Sequence, residues 1–207
     1  MLIWYLARGA GIAAFAMLSV ATGAGALATR RPAGVGRRGI EARVIVQYVH
    51  RAAALGGLLL LVVHVSMLLA DPSARVGVTG ALLPFASGYR PLAVTLGLLA
   101  MYLLIAVAVS GLLRSRFARS ARAARLWRGI HLASYSAWAM AAWHFLATGT
   151  DAGRWWARIV FFSGVAIVTA GVAVRLTGQR QPPRQQKHGP SEQATRRPEP
   201  LVIGAGR

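Results

Sequence analysis

The residues of this chain best suited to chemistry are its histidines. Four of the five lie in two apolar stretches: His50 and His64 in "VHRAAALGGLLLLVVHV", and His131 and His144 in "HLASYSAWAMAAWH". There is no cysteine, so disulfides, thiolate metal sites and cysteine nucleophiles are excluded by inventory. The acids Glu41, Asp71, Asp151, Glu192 and Glu199 fall in loops, at the ends of apolar blocks or in the C-terminal tail. Any metal or cofactor must therefore be held by histidine, carboxylate or backbone, and inside the apolar blocks the side chain on offer is imidazole, a neutral nitrogen ligand or a proton carrier.

Spacing turns four histidines into two pairs. On a helix rising ~1.5 Å per residue, fourteen positions separate His50 from His64 by about 21 Å, and thirteen separate His131 from His144 by about 19 to 20 Å. Two helices side by side would thus offer one imidazole each at two matched depths. The azimuths match less well: at ~100° per residue, fourteen steps return to within about 40° of the start, whereas thirteen miss by about 140°. His50 and His64 share a face. His131 and His144 either sit on an irregularly wound helix or look in different directions.

The elements that must position them are membrane helices. The chain has 207 residues, 56% of them hydrophobic, yet carries 24 Lys and Arg against 5 Asp and Glu. Apolar blocks at residues 2–27, 44–70, 91–113, 129–148 and 157–174 mostly reach the ~18 to 20 residues that cross a ~30 Å hydrocarbon core, where backbone groups without water partners demand helix. The expected fold is an all-α integral membrane protein, a five-helix transmembrane bundle over residues 1–176, with a disordered basic cytoplasmic tail over 177–207. His188 falls in that tail and receives no role. Arginines fall between the blocks rather than on one basic domain, which points to membrane lipid and not nucleic acid. Three groups, Arg30 to Arg43, Arg114 to Arg128 and Arg175 to Arg207, lie on one side of a five-span chain. The positive-inside rule then sets the N-terminus outside and the C-terminus in the cytoplasm. The Arg-, Ala- and Gly-rich usage suggests a bacterial plasma membrane protein. The first block also resembles a secretory signal; cleavage would leave four spans and turn the basic loops outward, so a retained span is the preferred reading.

With that topology, His50 and His131 lie near the inner face and His64 and His144 near the outer. Zinc asks for three or four protein ligands at one level, and a two-histidine, one-carboxylate iron site needs an acid that neither level supplies. Two facing imidazoles suit a six-coordinate haem iron, whose other four ligands are porphyrin nitrogens. The expected cofactors are two bis-histidine haems, one at each level. Arg51 and Arg128 are expected to serve the haem carboxylates at the inner edge, with Trp127 beside them. Arg8, Tyr89 and Arg90 are the outer candidates. All of these equally suit interfacial anchoring. Gly56, Gly57 and Gly129 would allow a macrocycle or a neighbouring helix to approach, and Tyr135, Trp138, Trp143 and Phe145 could wall a porphyrin or simply pack.

The stretches "WYLARGAG", "VHRAAALGGLLLLVVHV", "PFASGYRPL" and "WRGIHLASYSAWAMAAWH" together resemble the ferric reductase-like transmembrane domain family, closest to its short bacterial members, over about residues 4 to 148. The resemblance implies b-type haems between the two histidine-bearing helices, with His50 and His131 on the inner haem and His64 and His144 on the outer, and electron transfer across the membrane. Larger members append a flavin and nicotinamide domain. The tail here is too short to fold one, and no G-x-G-x-x-G is present. The chain reads as an electron-transfer subunit that depends on a separate reductase or quinol as donor and serves an extracytoplasmic redox partner. The alternative class is a non-redox permease or assembly subunit whose histidines relay protons or bind metal transiently.

Overall fold

A computed structural model describes residues 1–28, 37–117 and 120–179, and among them the chain is helical with short connections and no strand. The elements are α1 (Leu2–Ala28), α2 (Arg37–Ala70), a 3-10 turn (Pro72–Ala74), α3 (Gly77–Leu82), α4 (Pro91–Leu112), α5 (Arg114–Phe117), α6 (Ala121–Thr148) and α7 (Trp155–Gln179). The expected tail beyond residue 179, with His188, lies outside the described residues, as do Arg30 and Arg31 of the first arginine group.

Local chemistry sets the boundaries. Pro72, which cannot donate to the preceding turn, follows α2, and the Asp71 carboxylate accepts from the Ser73 backbone N–H at 2.9 Å to start the short 3-10 turn. Arg75 then takes a left-handed φ of 52° and ends it. Pro91 opens α4 at the first helical position, where its missing N–H costs no hydrogen bond. Ser120 caps α6 by accepting from Ala123 N–H at 3.1 Å. The Ser73 hydroxyl, helped by the Ser73 N–H, holds the Asp71 carboxyl below the usual carboxylate range.

Among the described residues, four helices are long and apolar enough to cross a membrane: Leu2–Ala28, Gly39–Ala70, Pro91–Leu112 and Trp155–Thr177. The fifth expected span, 129–148, is the distal part of α6. That helix is long enough but is not among the four: Arg122, Arg125 and Arg128 fill its first turns, and two histidines, two serines and a tyrosine dilute the rest. Large apolar residues along one stripe of α2, Leu55, Leu59 and Val62, face outward. A contiguous exposed stripe of this kind is unfavourable in water and ordinary against lipid.

The bundle is organised around α1, which packs along α2 and α7 and touches α6, while α4 packs along α6. Small residues make the close approaches. A Cβ on Gly171 would come within 2.7 Å of Gly23 O, and one on Gly57 within 2.9 Å of Leu18. Ser19, wholly buried, donates to Phe15 O at 2.8 Å and accepts from Trp138 Nε1 at 2.9 Å, so that α1 and α6 share a hydrogen bond in an apolar setting. The segment that resembles a secretory signal is thus the most enclosed helix of the bundle. By contrast, α2 and α6, which carry the four histidines, lack extensive backbone packing on each other.

Candidate cofactor-binding site

The histidines of α2 and α6 meet across that gap at two levels. His50 and His131 have ring centres 6.1 Å apart with planes at 65°. His64 and His144 line a common cavity of about 210 Å3, together with Phe15, Phe145, Arg8 and Tyr89. The pairing is the one that the spacing predicts. α6 is one uninterrupted α-helix, so the thirteen-residue step is not absorbed by irregular winding. Its two imidazoles instead look in different directions, His144 against α4 and His131 toward α2.

Three of the four rings are seated in the same way. His64 Nδ1 bonds Ala7 O at 2.7 Å, His50 Nδ1 bonds Ala21 O at 2.8 Å, and His144 Nδ1 bonds Ala93 O at 2.8 Å. A carbonyl only accepts, so each Nδ1 carries the proton and, in the neutral ring, Nε2 keeps its lone pair. Four residues after each acceptor stands a glycine. A Cβ there would come within 2.7 Å of the His64 ring at Gly11, 3.1 Å of His50 at Gly25 and 2.6 Å of His144 at Gly97. Each socket is therefore a helix carbonyl that orients the ring and a missing side chain one turn later that admits it. The sequence carries a trace of it: Ala7 and Ala21, and likewise Gly11 and Gly25, stand fourteen apart, the same interval as His50 and His64.

The fourth position follows the pattern on α4 but not on α6. Fourteen residues beyond Ala93 and Gly97 are Val107 and Gly111, the matching carbonyl and glycine. His131 falls one residue short of the interval that would seat it there. Nothing lies within 4 Å of a Cβ placed on Gly111, Val107 O accepts the Ser110 hydroxyl at 2.7 Å, and His131 Nδ1 is buried with no partner among the described residues. The His131 ring is held by stacking on Trp127, centres 5.1 Å apart. Trp127 donates to Ser110 O at 3.1 Å and lies 5.4 Å under the Arg114 guanidinium.

The other expected residues divide. Arg51 and Arg128 are exposed and make no hydrogen bond or ion pair among the described residues. Arg8 forms an ion pair with Asp151 and lies over Trp4 and Tyr5; Arg90 donates to Ala147 O and Tyr89 to Thr148 O. Gly56 and Gly57 serve the approach of α1, through Met17 and Leu18, and the space around Gly129 is open. Of the aromatics, Phe145 lines the cavity. Trp138 reaches Ser19, Tyr135 accepts from Arg175 at 3.2 Å, and Trp143 is exposed. Gly11, Gly25, Gly97, Arg114 and Asp151 were not singled out by sequence reasoning.

The donor set fits a haem. A metal–imidazole bond is about 2.0–2.1 Å, and a ring nitrogen lies about 1.2 Å from its ring centre, so two axial imidazoles hold their centres roughly 6.5 Å apart. The 6.1 Å between His50 and His131 is close to that, on helices kept apart at their backbones. Among the described residues no three His, Cys, Asp or Glu side chains gather as a metal cluster; bis-imidazole ligation asks for two. No protein-family model, curated protein or solved structure matches the chain.

Proposed function

We propose that this chain is a di-haem membrane cytochrome of the ferric reductase-like kind, a five-span bundle in a bacterial plasma membrane that passes electrons between a cytoplasmic reductase or quinol and an acceptor outside. The observation that carries the reading is the placing of the imidazoles, His50 beside His131 and His64 and His144 on the wall of one cavity, with three Nδ1 protons committed to carbonyls so that Nε2 is the ligand atom left over. His50 and His131 would hold the inner haem and His64 and His144 the outer, and haem would supply one-electron redox chemistry at each level. The chain's own part is to fix tautomer and ring orientation through Ala7, Ala21 and Ala93, a device that also raises ligand basicity. It also keeps the interval apolar, with Phe15, Phe145 and Phe161 packed at 5.0 to 5.9 Å between centres.

Charge supports the same assignment at the edges. Arg51 and Arg128, exposed and uncommitted, suit the carboxylates of an inner haem. At the other end Arg8 already has Asp151 as counter-ion, and Tyr89, on the cavity wall, is tied to Thr148 O. The test is the reduced-minus-oxidised spectrum of the purified protein, with haem counted per chain. Two haems and a sharp visible band on reduction are expected. Protein made in a haem-replete host and lacking haem refutes the reading and returns the histidines to a proton path.

A further inference from the structure

The four imidazoles are not equivalent, and the odd one has a chemical consequence. His50, His64 and His144 are each fixed by a carbonyl and admitted by a glycine, whereas among the described residues the buried Nδ1 of His131 has no acceptor. We infer that His131 is the exchangeable ligand, and that the His50–His131 level accepts a small neutral ligand such as carbon monoxide while the His64–His144 level does not. The inference rests on the di-haem reading and adds to it a binding site of a definite chemical class.

Two physical effects act in the same direction. An outer-shell acceptor on the far nitrogen of a ligating histidine typically contributes 10- to 100-fold in metal affinity, and His131 lacks it. A buried N–H without a partner is also unfavourable while the ring stays in place, so turning the ring out relieves a penalty that the three seated rings do not carry. What keeps His131 in position is its stack on Trp127, itself held by Ser110 O and Arg114. Stacking resists tilt but allows the ring to slide in its plane. The exchange would be one for one: an incoming carbon monoxide would take the place of His131 Nε2, which would keep its lone pair, and no electron would be transferred.

The experiment is carbon monoxide titration of the dithionite-reduced, purified full chain, followed by the visible difference spectrum. The expected result is an adduct on half of the haem. Two haems with no adduct, or an adduct on both, overturns the inference while leaving the di-haem reading intact; absence of haem before the gas is added strikes the reading instead. His64→Ala, which dismantles the other level, should keep the adduct on the haem that remains, and an adduct lost with the outer haem overturns the assignment. Trp127→Ala, which leaves all four ligands in place, should tighten apparent carbon monoxide affinity by roughly tenfold, and an unchanged affinity overturns the restraining role of the stack.

Discussion

At the His64–His144 level both imidazoles are tethered, one to α1 through Ala7 and one to α4 through Ala93; at the His50–His131 level only His50 is, through Ala21. The difference comes from a single residue of spacing. α1, α2 and α4 repeat their site features at an interval of fourteen, and α6 alone steps by thirteen. An α-helix that steps by thirteen instead of fourteen turns its side chain by about 100°, enough to carry His131 off the Val107–Gly111 position. The molecule thus pairs a rigid level with an adjustable one, using the same residue types at both.

The largest effect is expected from filling a socket. Gly97→Leu and Gly11→Leu should each remove the haem of the His64–His144 level, about half of the total, because even a Cβ at these positions meets the imidazole at 2.6 to 2.7 Å. Gly111→Leu, in the same register on α4 but with open space around it, should leave haem content unchanged. Equal losses in all three variants would erase the comparison. Next in size is a repair: Ile130→His with His131→Ile and Ser110→Ala restores the fourteen-residue interval and frees Val107 O. It should abolish carbon monoxide binding while keeping two haems, read from the same difference spectrum. Gly25→Ala should be milder than Gly11→Ala, since its Cβ would stand 3.1 Å from His50; haem retention on dilution should separate the two. The smallest effect is at Asp71. Its carboxyl is held below the ordinary range by Ser73, so the folded form gains from ionisation above the unfolded pKa of ~3.9, and the gain disappears as pH falls through the lower folded value. Hydrogen exchange at Ser73 and Ala74 should accelerate only under those acidic conditions, and Asp71→Asn should remove the pH dependence.

Much of this arrangement was readable from residue spacing. Helix type and most spans follow from block length, and the two histidine pairs follow from intervals of fourteen and thirteen on neighbouring helices. The sockets were written in the same interval, in Ala7 and Ala21 and in Gly11 and Gly25, but an alanine carbonyl announces nothing until a partner helix is set against it. Arg8 and Asp151 are 143 positions apart by their numbering, and no local pattern links them. The apolar character of α6 falls short for a related reason. Among the residues that dilute its hydropathy are the ones that make it useful, two histidines, Trp127 and Arg128.

The packing of adjacent helices, α1 on α2 and α4 on α6, bears on how the protein is made. Each is a pair close in sequence, so its contacts are local and cheap in chain entropy. The first pair already contains His50 and His64 with their acceptors, and the second contains His144 with its own. Each can therefore mature as it leaves the ribosome and enters the lipid, before the other exists. The seam between them is closed afterwards by α7 returning to α1, so that a prosthetic group could enter from the side during assembly rather than thread into a finished bundle.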